Sequence, residues 1–369
     1  ADLQSDVGFR DTDRIDYSTA SSGVSVYLGA GIALDGEGGL DTLIGIESVT
    51  GSMHNDLLSG SDTTFAENFR GGAGNDTIQG GGANDRAEYF DATSGVAIFA
   101  TGGSAFTAAG DASVGFDQLT GVEMFIGSEY VDTFNAAGFA GFNAFEGRGG
   151  NDTITGNGST RVEYTNAASP VTVNLATGTA SDTLFSVGTD TFLGGVNQVR
   201  GSAHADMLLG GNPGFDGFEG FDGRGGDDYI DGGSGWDRAD YAFNGPITTG
   251  IVVNLAAGTV EGDPALVGMD TLRGIEAIRG SHRDDTYDAT DFGFSGDNIG
   301  WFGTSNEFEG MAGDDTVIGN GNTRIAFYSA REAVSVDLAA GTVAGGPSVG
   351  TDTLVGGVRE VRGSNFDDT

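Results

Sequence analysis

The chain has 369 residues, of which 68 are Gly, 5 are Pro and none is Cys, and its 54 acidic residues against 16 basic ones give a formal net charge of −38. This charge disfavours nucleic acid as a partner, because phosphates would be repelled, and the lack of Cys excludes disulfides and thiolate metal sites. No stretch approaches the ~18 apolar residues of a membrane-spanning helix, so we expect no membrane insertion.

Several short sequence patterns recur in the same order along the chain. The first is an Arg followed three residues later by an aromatic residue, and an alternating apolar run such as Val24-Ser25-Val26 comes after it. Period-two runs bounded by Gly, Asp and Asn are typical of half-buried strands, and no window shows a sustained helical stripe. We therefore predict a nearly all-β protein. The Arg and aromatic pairs are Arg14/Tyr17, Arg86/Tyr89, Arg161/Tyr164, Arg238/Tyr241 and Arg324/Phe327.

Two further patterns each contain a fixed Asp. One opens a short apolar strand at Asp41 and returns at intervals of 73 to 82 residues, near Asp117, Asp190, Asp270 and Asp352. The other, which we call the Gly-Ser word, runs from a Gly-Ser pair to an Asp four residues after the Ser. Its copies end at Asp56, Asp132, Asp206, Asp285 and Asp368.

The last pattern, which we call the glycine word, is G-G-x-G-x-D or a close variant. Its complete copy is Gly232 to Asp237, and a copy with Ala at the fourth position is Gly80 to Asp85. The remaining copies end at Asp76, Asp152, Asp228 and Asp315. Strands between these words are too short to be stable alone, so they must bury their apolar residues by stacking on neighbouring turns. The sequence thus predicts a β-solenoid.

The repetition predicts one continuous array over residues 1–369. Residues 286–307 extend one unit beyond the others, and we expect them to form an inserted loop. The approximate units are 1–13 (partial), 14–85, 86–160, 161–237, 238–323 (with the inserted loop) and 324–369 (partial).

The glycine words carry the chemistry that suits a hard cation. Glycine lets the backbone turn with positive φ and present carbonyl oxygens, and the closing Asp adds an anionic oxygen, as Ca²⁺ prefers. We therefore predict calcium as the cofactor. The candidate ligands are Asp76, Asp85, Asp152, Asp228, Asp237 and Asp315 with Gly72, Gly74, Gly232 and Gly235, and the Asp residues of the Gly-Ser words, Asp56, Asp132, Asp206 and Asp285.

These words resemble the hemolysin-type calcium-binding repeats of RTX proteins. The resemblance is complete at Gly232 to Asp237, partial in the other glycine words, and extends in degenerate form over essentially the whole chain. It implies a right-handed parallel β-roll or β-solenoid of tandem 73–86-residue units with calcium-binding Gly-Asp turns. It also implies a secreted or cell-surface bacterial protein exported by type I secretion and folding on Ca²⁺ outside the cell.

Spacing gives the resemblance testable detail. Asp76 and Asp85 are nine residues apart and should lie on opposite edges of one coil, whereas Asp56 and Asp76, 20 apart, should lie on one edge in neighbouring coils and could share an ion. Nine residues after Asp152 and Asp315 stand Arg161 and Arg324, where the family has Asp. We expect these Arg residues to replace the ion by pairing with a carboxylate such as Glu163. We also expect a core ladder of Phe69, Phe145, Phe221 and Phe308.

No residue pattern in the chain indicates catalysis. The three His residues, His54, His204 and His282, all lie in Gly-Ser words, and the H-E-x-x-H motif of metalloproteases is absent. We therefore expect a structural segment of an adhesin, surface-layer component or extracellular filament and not an enzyme. The alternative is a calcium-binding module of an extracellular protease, lipase or polysaccharide epimerase whose catalytic domain lies outside this segment. Other copies of the chain, or surface glycans bound at the loop 286–307, are the partners that remain open.

Overall fold

The protein is all-β in the part of the chain that the computed structural model describes, residues 12–63, 65–211, 217–242, 247–294 and 296–369. These described ranges contain thirty-five strands, most of them three to five residues long and most of them paired in parallel. This confirms the predicted fold class at the level of a β-solenoid-like, mostly parallel sheet. Within those ranges no helix is long and apolar enough to cross a membrane.

The chain forms two compact units. The first comprises residues 1–167 and 178–196, and the second comprises residues 168–177 and 197–369. The strands of the first unit are β1 (Arg14–Asp16), β2 (Ser25–Tyr27), β3 (Ile32–Leu34), β4 (Leu40–Thr42), β5 (Ser48–Thr50), β6 (Leu57–Ser59), β7 (Asn68–Arg70), β8 (Thr77–Gln79), β9 (Arg86–Glu88), β10 (Ala97–Gly102), β11 (Ala105–Ala109), β12 (Phe116–Thr120), β13 (Met124–Ile126), β14 (Thr133–Asn135), β15 (Asn143–Glu146), β16 (Thr153–Thr155), β17 (Thr160–Glu163), β19 (Thr179–Asp182) and β20 (Thr189–Phe192).

The second unit takes the remaining strands, and β21 begins at its boundary. They are β18 (Val171–Asn174), β21 (Val196–Arg200), β22 (Met207–Leu209), β23 (Phe218–Asp222), β24 (Tyr229–Asp231), β25 (Trp236–Asp240), β26 (Val252–Asn254), β27 (Thr259–Glu261), β28 (Met269–Arg273), β29 (Ala277–Arg279), β30 (Thr286–Asp288), β31 (Asn306–Glu309), β32 (Thr316–Ala326), β33 (Ser335–Asp337), β34 (Thr342–Ala344) and β35 (Thr353–Arg362).

In the first unit the chain alternates between two stacks of strands. The first stack is parallel throughout, in the order β1, β5, β7, β9, β13, β15, β17. The second stack runs β4, β3, β2, β6, β8, β12, β11, β10, β14, β16, β20, β19 and includes antiparallel meanders such as β10–β11–β12. A coil therefore crosses from one stack to the other and back.

The second unit repeats this plan. Its first stack is β21, β23, β25, β29, β31, β32 and β35. Its second stack runs through β22, β24, β28, β27, β26 and β30, with β18 at one end and the meander β33–β34–β35 at the other. The long strands β32 and β35 have residues in both stacks, because each continues through a turn.

The core lies between the stacks and takes the middle residue of most strands, as period-two alternation predicts. Phe69, Phe145, Phe221 and Phe308 are all fully buried there. Phe69 and Phe145 share one inward row of the first unit, and Phe221 and Phe308 share one inward row of the second. Other residues separate the members of each pair, so the four rings do not stack directly on one another as a ladder would require. Phe145 has Phe125 and Val162 as neighbours in its stack, and its ring stacks across the core on Phe134 at 4.9 Å between centroids.

The outward surfaces of the two stacks differ in the first unit. The first stack presents ion pairs such as Arg70 to Glu88 at 3.2 Å. The second stack presents a row of outward residues, one from each of ten neighbouring strands, which we call the neutral row. None of its members is charged, and their in-register order is Leu40, Leu34, Ser25, Leu57, Thr77, Gln118, Thr107, Phe99, Asn135 and Thr155.

The inserted segment of the second unit is shorter than residues 286–307, because 286–288 form β30 and 306–307 belong to β31. Inside it, Phe292 and Asn298 are fully buried, and the Asn298 amide donates to the carbonyl oxygens of Leu255 and Ile275. Trp301 and Phe302 remain exposed. The insertion is anchored in both halves, since the Trp301 main-chain N–H also donates to Oε1 of Glu276 at 2.6 Å.

Candidate cation sites at two edges

Buried aspartates follow one edge of each unit, where the second stack begins. The main-chain N–H of Asp56 donates to Oδ1 of Asp76 at 2.9 Å, and that of Asp76 donates to Oδ1 of Asp117 at 2.9 Å. Asp56 and Asp76 therefore lie in neighbouring coils, as their spacing predicts. The same chain of bonds recurs as Asp132 to Asp152 to Asp190, as Asp206 to Asp228 to Asp270, and as Asp285 to Asp315 to Asp352.

The aspartates of the Gly-Ser words have both carboxylate oxygens satisfied by hydrogen bonds. For Asp132, the Ser128 N–H donates to Oδ2 at 2.6 Å, while the Ser128 hydroxyl and the Val96 N–H donate to Oδ1 at 2.7 Å each. The same three donors serve Asp56, Asp206 and Asp285. Hydrogen bonds from the Ser therefore help to satisfy both carboxylate oxygens, and no cation is needed there.

We call each of these four chains of hydrogen-bonded aspartates a run. In three of the runs, a tyrosine hydroxyl donates to the second carboxylate oxygen of the third aspartate. The hydroxyl of Tyr164 donates to Oδ2 of Asp190 at 3.0 Å, and Tyr89 and Tyr241 bind Asp117 and Asp270 in the same way. These are the aromatic residues of the Arg and aromatic pairs. In the fourth run the position is occupied by Phe327, which has no hydroxyl to offer Asp352.

The aspartates of the glycine words differ from both of these groups. Each accepts one main-chain N–H on Oδ1, but its Oδ2 is buried and has no hydrogen-bond partner. Six Oδ2 atoms of the described residues share this condition, and they are those of Asp76, Asp85, Asp152, Asp228, Asp237 and Asp315. A buried carboxylate oxygen without a partner is costly, so a proton or a cation is required there.

The turns of the glycine words explain why these oxygens lack donors. The second and fourth residues of each word have positive φ, for example Gly72 at 88° and Gly74 at 134°. With this backbone conformation, the main-chain N–H of the second residue does not donate to the closing Asp, whereas the Ser N–H of a Gly-Ser word does. A Cβ on Gly147, the first residue of its word, would collide with Oδ2 of Asp152. Glycine therefore keeps open the space beside the unpartnered oxygen.

The candidate glycines lie where the backbone of a neighbouring coil comes close. A Cβ on Gly72 would meet the carbonyl oxygen of Ser52, and one on Gly74 would meet that of His54. Gly235 has a φ of 142° and lies against the carbonyl oxygen of Gly217, and Gly232 lies against that of Gly274. The backbones of neighbouring coils therefore approach closely at these turns, and only glycine fits there without a clash.

The opposite edge carries a mixed row of acids and amides. Around Asp85, the Glu67 N–H donates to Asp85 Oδ1 at 2.8 Å and the Asp85 N–H donates to Glu123 Oε2 at 3.2 Å. Glu219, Asp237 and Glu276 repeat this arrangement. Asp76 and Asp85 therefore lie on opposite edges of one coil, as predicted.

The structure corrects the prediction for Arg161 and Arg324. Arg161 pairs in register with Ala144 on the outward row of the first stack, and the edge position falls to Thr160, whose hydroxyl donates to Asn143 Oδ1 at 2.8 Å. In the second unit Thr323 takes the edge position opposite Asn306. The coil is one residue shorter than the spacing of nine assumes, so the Arg residues do not stand where the family has Asp. Arg161 does pair with Glu163, and Arg324 pairs with Glu307.

Burial and like charge raise the pKa of the unpartnered carboxyls. Burial, then the carboxylate of Asp117, raises the pKa of Asp76 to about 8, and burial with Asp190 raises the pKa of Asp152 to about 9. Burial raises the pKa of Asp85 to about 7 and, with Glu219 and Glu276, that of Asp237 to about 8. The pKa values of Asp228 and Asp315 are also raised, chiefly by burial. Raised pKa values of this kind favour the protonated form of these carboxyls in the absence of a cation.

The donor set limits what each turn can hold. Within the described ranges, no group of three or more His, Cys, Asp or Glu side chains is placed to hold a metal ion. A cation at a glycine word would therefore have at most two such side chains among its ligands, and carboxylate oxygens suit Ca²⁺.

Reasoning from sequence missed the third aspartate of each run and the glutamates of the opposite edge. Asp190, Asp270 and Asp352 precede Thr and an apolar residue, as Asp76 and Asp152 do, and this shared Asp-Thr-apolar pattern places them at the same edge. A comparable signal marks Glu67 and Glu219, because each stands four residues before the first Gly of a glycine word and 18 residues before the Asp that accepts its main-chain N–H.

Comparisons with known proteins do not assign the chain to a family. No protein-family model matches it, and no curated protein matches it.

Proposed function

We propose that this chain is a calcium-stabilised structural segment of a long secreted or cell-surface protein. In this proposal the coils form a right-handed parallel solenoid of tandem 73–86-residue units, and calcium joins successive coils at the glycine words. The observation that supports it best is the set of six buried Oδ2 atoms without partners, all of which belong to glycine-word aspartates.

The proposal assigns the cations to six aspartates and narrows the set suggested by the sequence. The donor set fits a hard cation at Asp76, Asp85, Asp152, Asp228, Asp237 and Asp315, with carbonyl oxygens at the glycine turns. It does not fit at Asp56, Asp132, Asp206 and Asp285, because Ser and main-chain donors already use both of their oxygens. In this proposal, hydrogen bonds satisfy the carboxylates of the Gly-Ser words at any calcium concentration, whereas the carboxylates of the glycine words need a cation.

Charge supports the same assignment. Calcium at the glycine words would neutralise carboxylates that lie in consecutive coils of a chain of net charge −38, and the binding energy would add to the free energy of folding. A protein of this kind is loosely ordered where calcium is scarce and becomes rigid in calcium-rich surroundings, which suits a segment that works outside the cell.

The direct test is a calcium titration of the chelated chain followed by circular dichroism and isothermal calorimetry. We expect β content and melting temperature to rise together with calcium, and magnesium at the same concentration to have less effect because it demands octahedral geometry. Unchanged β content and melting temperature on chelation, with no heat of calcium binding, would show that the glycine words are closed by protons alone.

A further inference from the structure

Among the described residues of the first unit, no charged residue occupies an outward strand position of the second stack. The outward positions of its second stack include the neutral row and two flanking rows, which run from Thr42 to Ala105 and from Phe116 to Thr179 over seven strands each. All these residues are Ser, Thr, Asn, Gln, Ala, Tyr, Phe, Leu or Ile. Of all residues in the chain, 19% are charged. The absence of charged residues from the outward positions of twelve strands therefore needs an explanation.

The edges and the opposite stack of the first unit carry charged side chains. Their charges limit the kinds of partner that would bind to the neutral side. The edges hold aspartate runs, and the opposite stack holds ion pairs such as Arg70 to Glu88. An anionic polymer would be repelled by the edges, and a cationic partner would be drawn to them instead of to the neutral side. The neutral side therefore fits an uncharged partner.

The side chains there also match a particular chemistry. Hydroxyl and amide groups recur along the row at Ser25, Thr77, Gln118 and Thr155, and none of these residues is fully buried. Phe99 and Phe116 lie among them with 42% and 49% of their surface exposed. Alternating hydrogen-bonding groups and apolar rings are complementary to a sugar polymer, which presents hydroxyls at its rim and C–H groups on its ring faces.

The dimensions favour a linear polymer over a second copy of the chain. Twelve strands at ~4.8 Å spacing give a strip roughly 50 Å long, and the two outward residues of a strand make it only about 10 Å wide. The resulting ~500 Å² is below the ~800 Å² per partner of a standard protein interface, but it can accommodate an extended chain along its whole length.

We propose that the neutral row of the first unit binds a neutral linear polysaccharide. The proposal is independent of the cation sites, which lie at the edges and not on this side. It assigns a binding role to a sheet surface instead of the loop 286–307, which belongs to the second unit.

The test measures depletion of the full calcium-loaded chain by microcrystalline cellulose and its retardation by soluble amylose, with alginate as a charged polymer. We expect binding to at least one neutral polymer and none to alginate. The variant Gln118→Glu/Thr155→Glu adds two charges to the neutral row and should reduce binding at least tenfold. The matched control Asn68→Glu/Met124→Glu adds two charges to outward positions of the opposite stack and should bind as the parent does.

Three results would overturn the proposal. The first is failure of the parent chain to bind either neutral polymer, and the second is an equal loss of binding in both variants at unchanged melting temperature. The third is a concentration-dependent dimer in sedimentation velocity that Gln118→Glu/Thr155→Glu abolishes and the control does not, since that would make a second copy the partner of this side.

Discussion

The main-chain N–H of Asp132 donates to Oδ1 of Asp152 at 2.8 Å, so two acidic residues 20 positions apart in the chain are joined through backbone and side chain. They nevertheless have different environments. Asp132 has donors on both oxygens, whereas Oδ2 of Asp152 has none. The following predictions depend on this difference between neighbouring coils.

Asp152→Asn should weaken calcium binding, whereas Asp132→Asn should not. The first change removes the unpartnered anionic oxygen, so we expect the calcium-induced rise in melting temperature to shrink and less calcium to bind per chain. The second removes an acceptor for the Ser128 N–H and should cost about 1–3 kcal/mol with or without calcium. Calorimetric titration and thermal unfolding of both variants measure the contrast, and equal losses of calcium binding in the two would contradict it.

Without calcium, stability should fall as the pH rises from about 5 to 8. The folded pKa of Asp152 is raised to about 9 and that of Asp76 to about 8, against about 3.9 in an unfolded chain. Between those values the folded state binds more protons than the unfolded state, so the free energy of unfolding decreases with pH. Thermal unfolding in a chelator at several pH values measures this slope.

Saturating calcium should remove or reverse that pH dependence, because the metal binds the deprotonated carboxylate. The matched measurement repeats the pH series with calcium present. A chelated chain that gains stability between pH 5 and 8 would mean that these carboxyls are not proton-bound in the folded state.

Tyr164→Phe should destabilise the first unit by about 1–3 kcal/mol, because Asp190 loses a donor in a fully buried place. The chain provides its own comparison at Phe327, which occupies the same position relative to Asp352. Phe327→Tyr should therefore stabilise the second unit, by an amount of about 1 kcal/mol. Denaturant unfolding of the two variants measures both effects, and a destabilising Phe327→Tyr would show that the hydroxyl does not reach Asp352.

Met311→Gly should stabilise the protein by roughly 1 kcal/mol. Met311 is the second residue of its glycine word and has a φ of 69°, a left-handed conformation. Gly72 and Gly233 occupy the same position in other glycine words and also have positive φ. The substitution relieves the cost of a Cβ in this region. The reciprocal change Gly72→Ala should cost stability, since its Cβ would also meet the carbonyl oxygen of Ser52. Chemical denaturation compares the pair.

The fold could be anticipated because its signals are local. Alternation over runs such as Val24 to Leu28 indicates strands, and repetition of Asp-containing words indicates stacking, so the all-β solenoid-like architecture was accessible from sequence. Spacing also placed Asp56 next to Asp76 and Asp85 on the far edge. The relation between Asp56 and Asp76 also holds where the interval differs, since the same hydrogen bond joins Asp residues 22 and 30 positions apart in the second unit.

The edge prediction for Arg161 was wrong because a coil is one residue shorter than expected. Other features were missed because they depend on contacts between residues far apart in the sequence. Thr160 instead of Arg161 occupies the edge because one coil is shorter, and a period-two structure converts such a slip into a change of face. The difference between closed and open carboxylates depends on Ser128 and on the φ of the glycine word, which only the turn geometry reveals. The neutral row, similarly, becomes continuous only after antiparallel meanders bring Gln118, Thr107 and Phe99 into register.

The hydrogen bonds between consecutive aspartates have a direction. In every run the donor belongs to the earlier coil and the acceptor carboxylate to the later one, so each coil depends on its successor to complete its main chain. Loss of one carboxylate therefore exposes an N–H on the coil before it, while the coil after it keeps its own acceptor. Damage at one coil should thus spread toward the N-terminus of the unit, and resistance to unraveling should differ between its two ends.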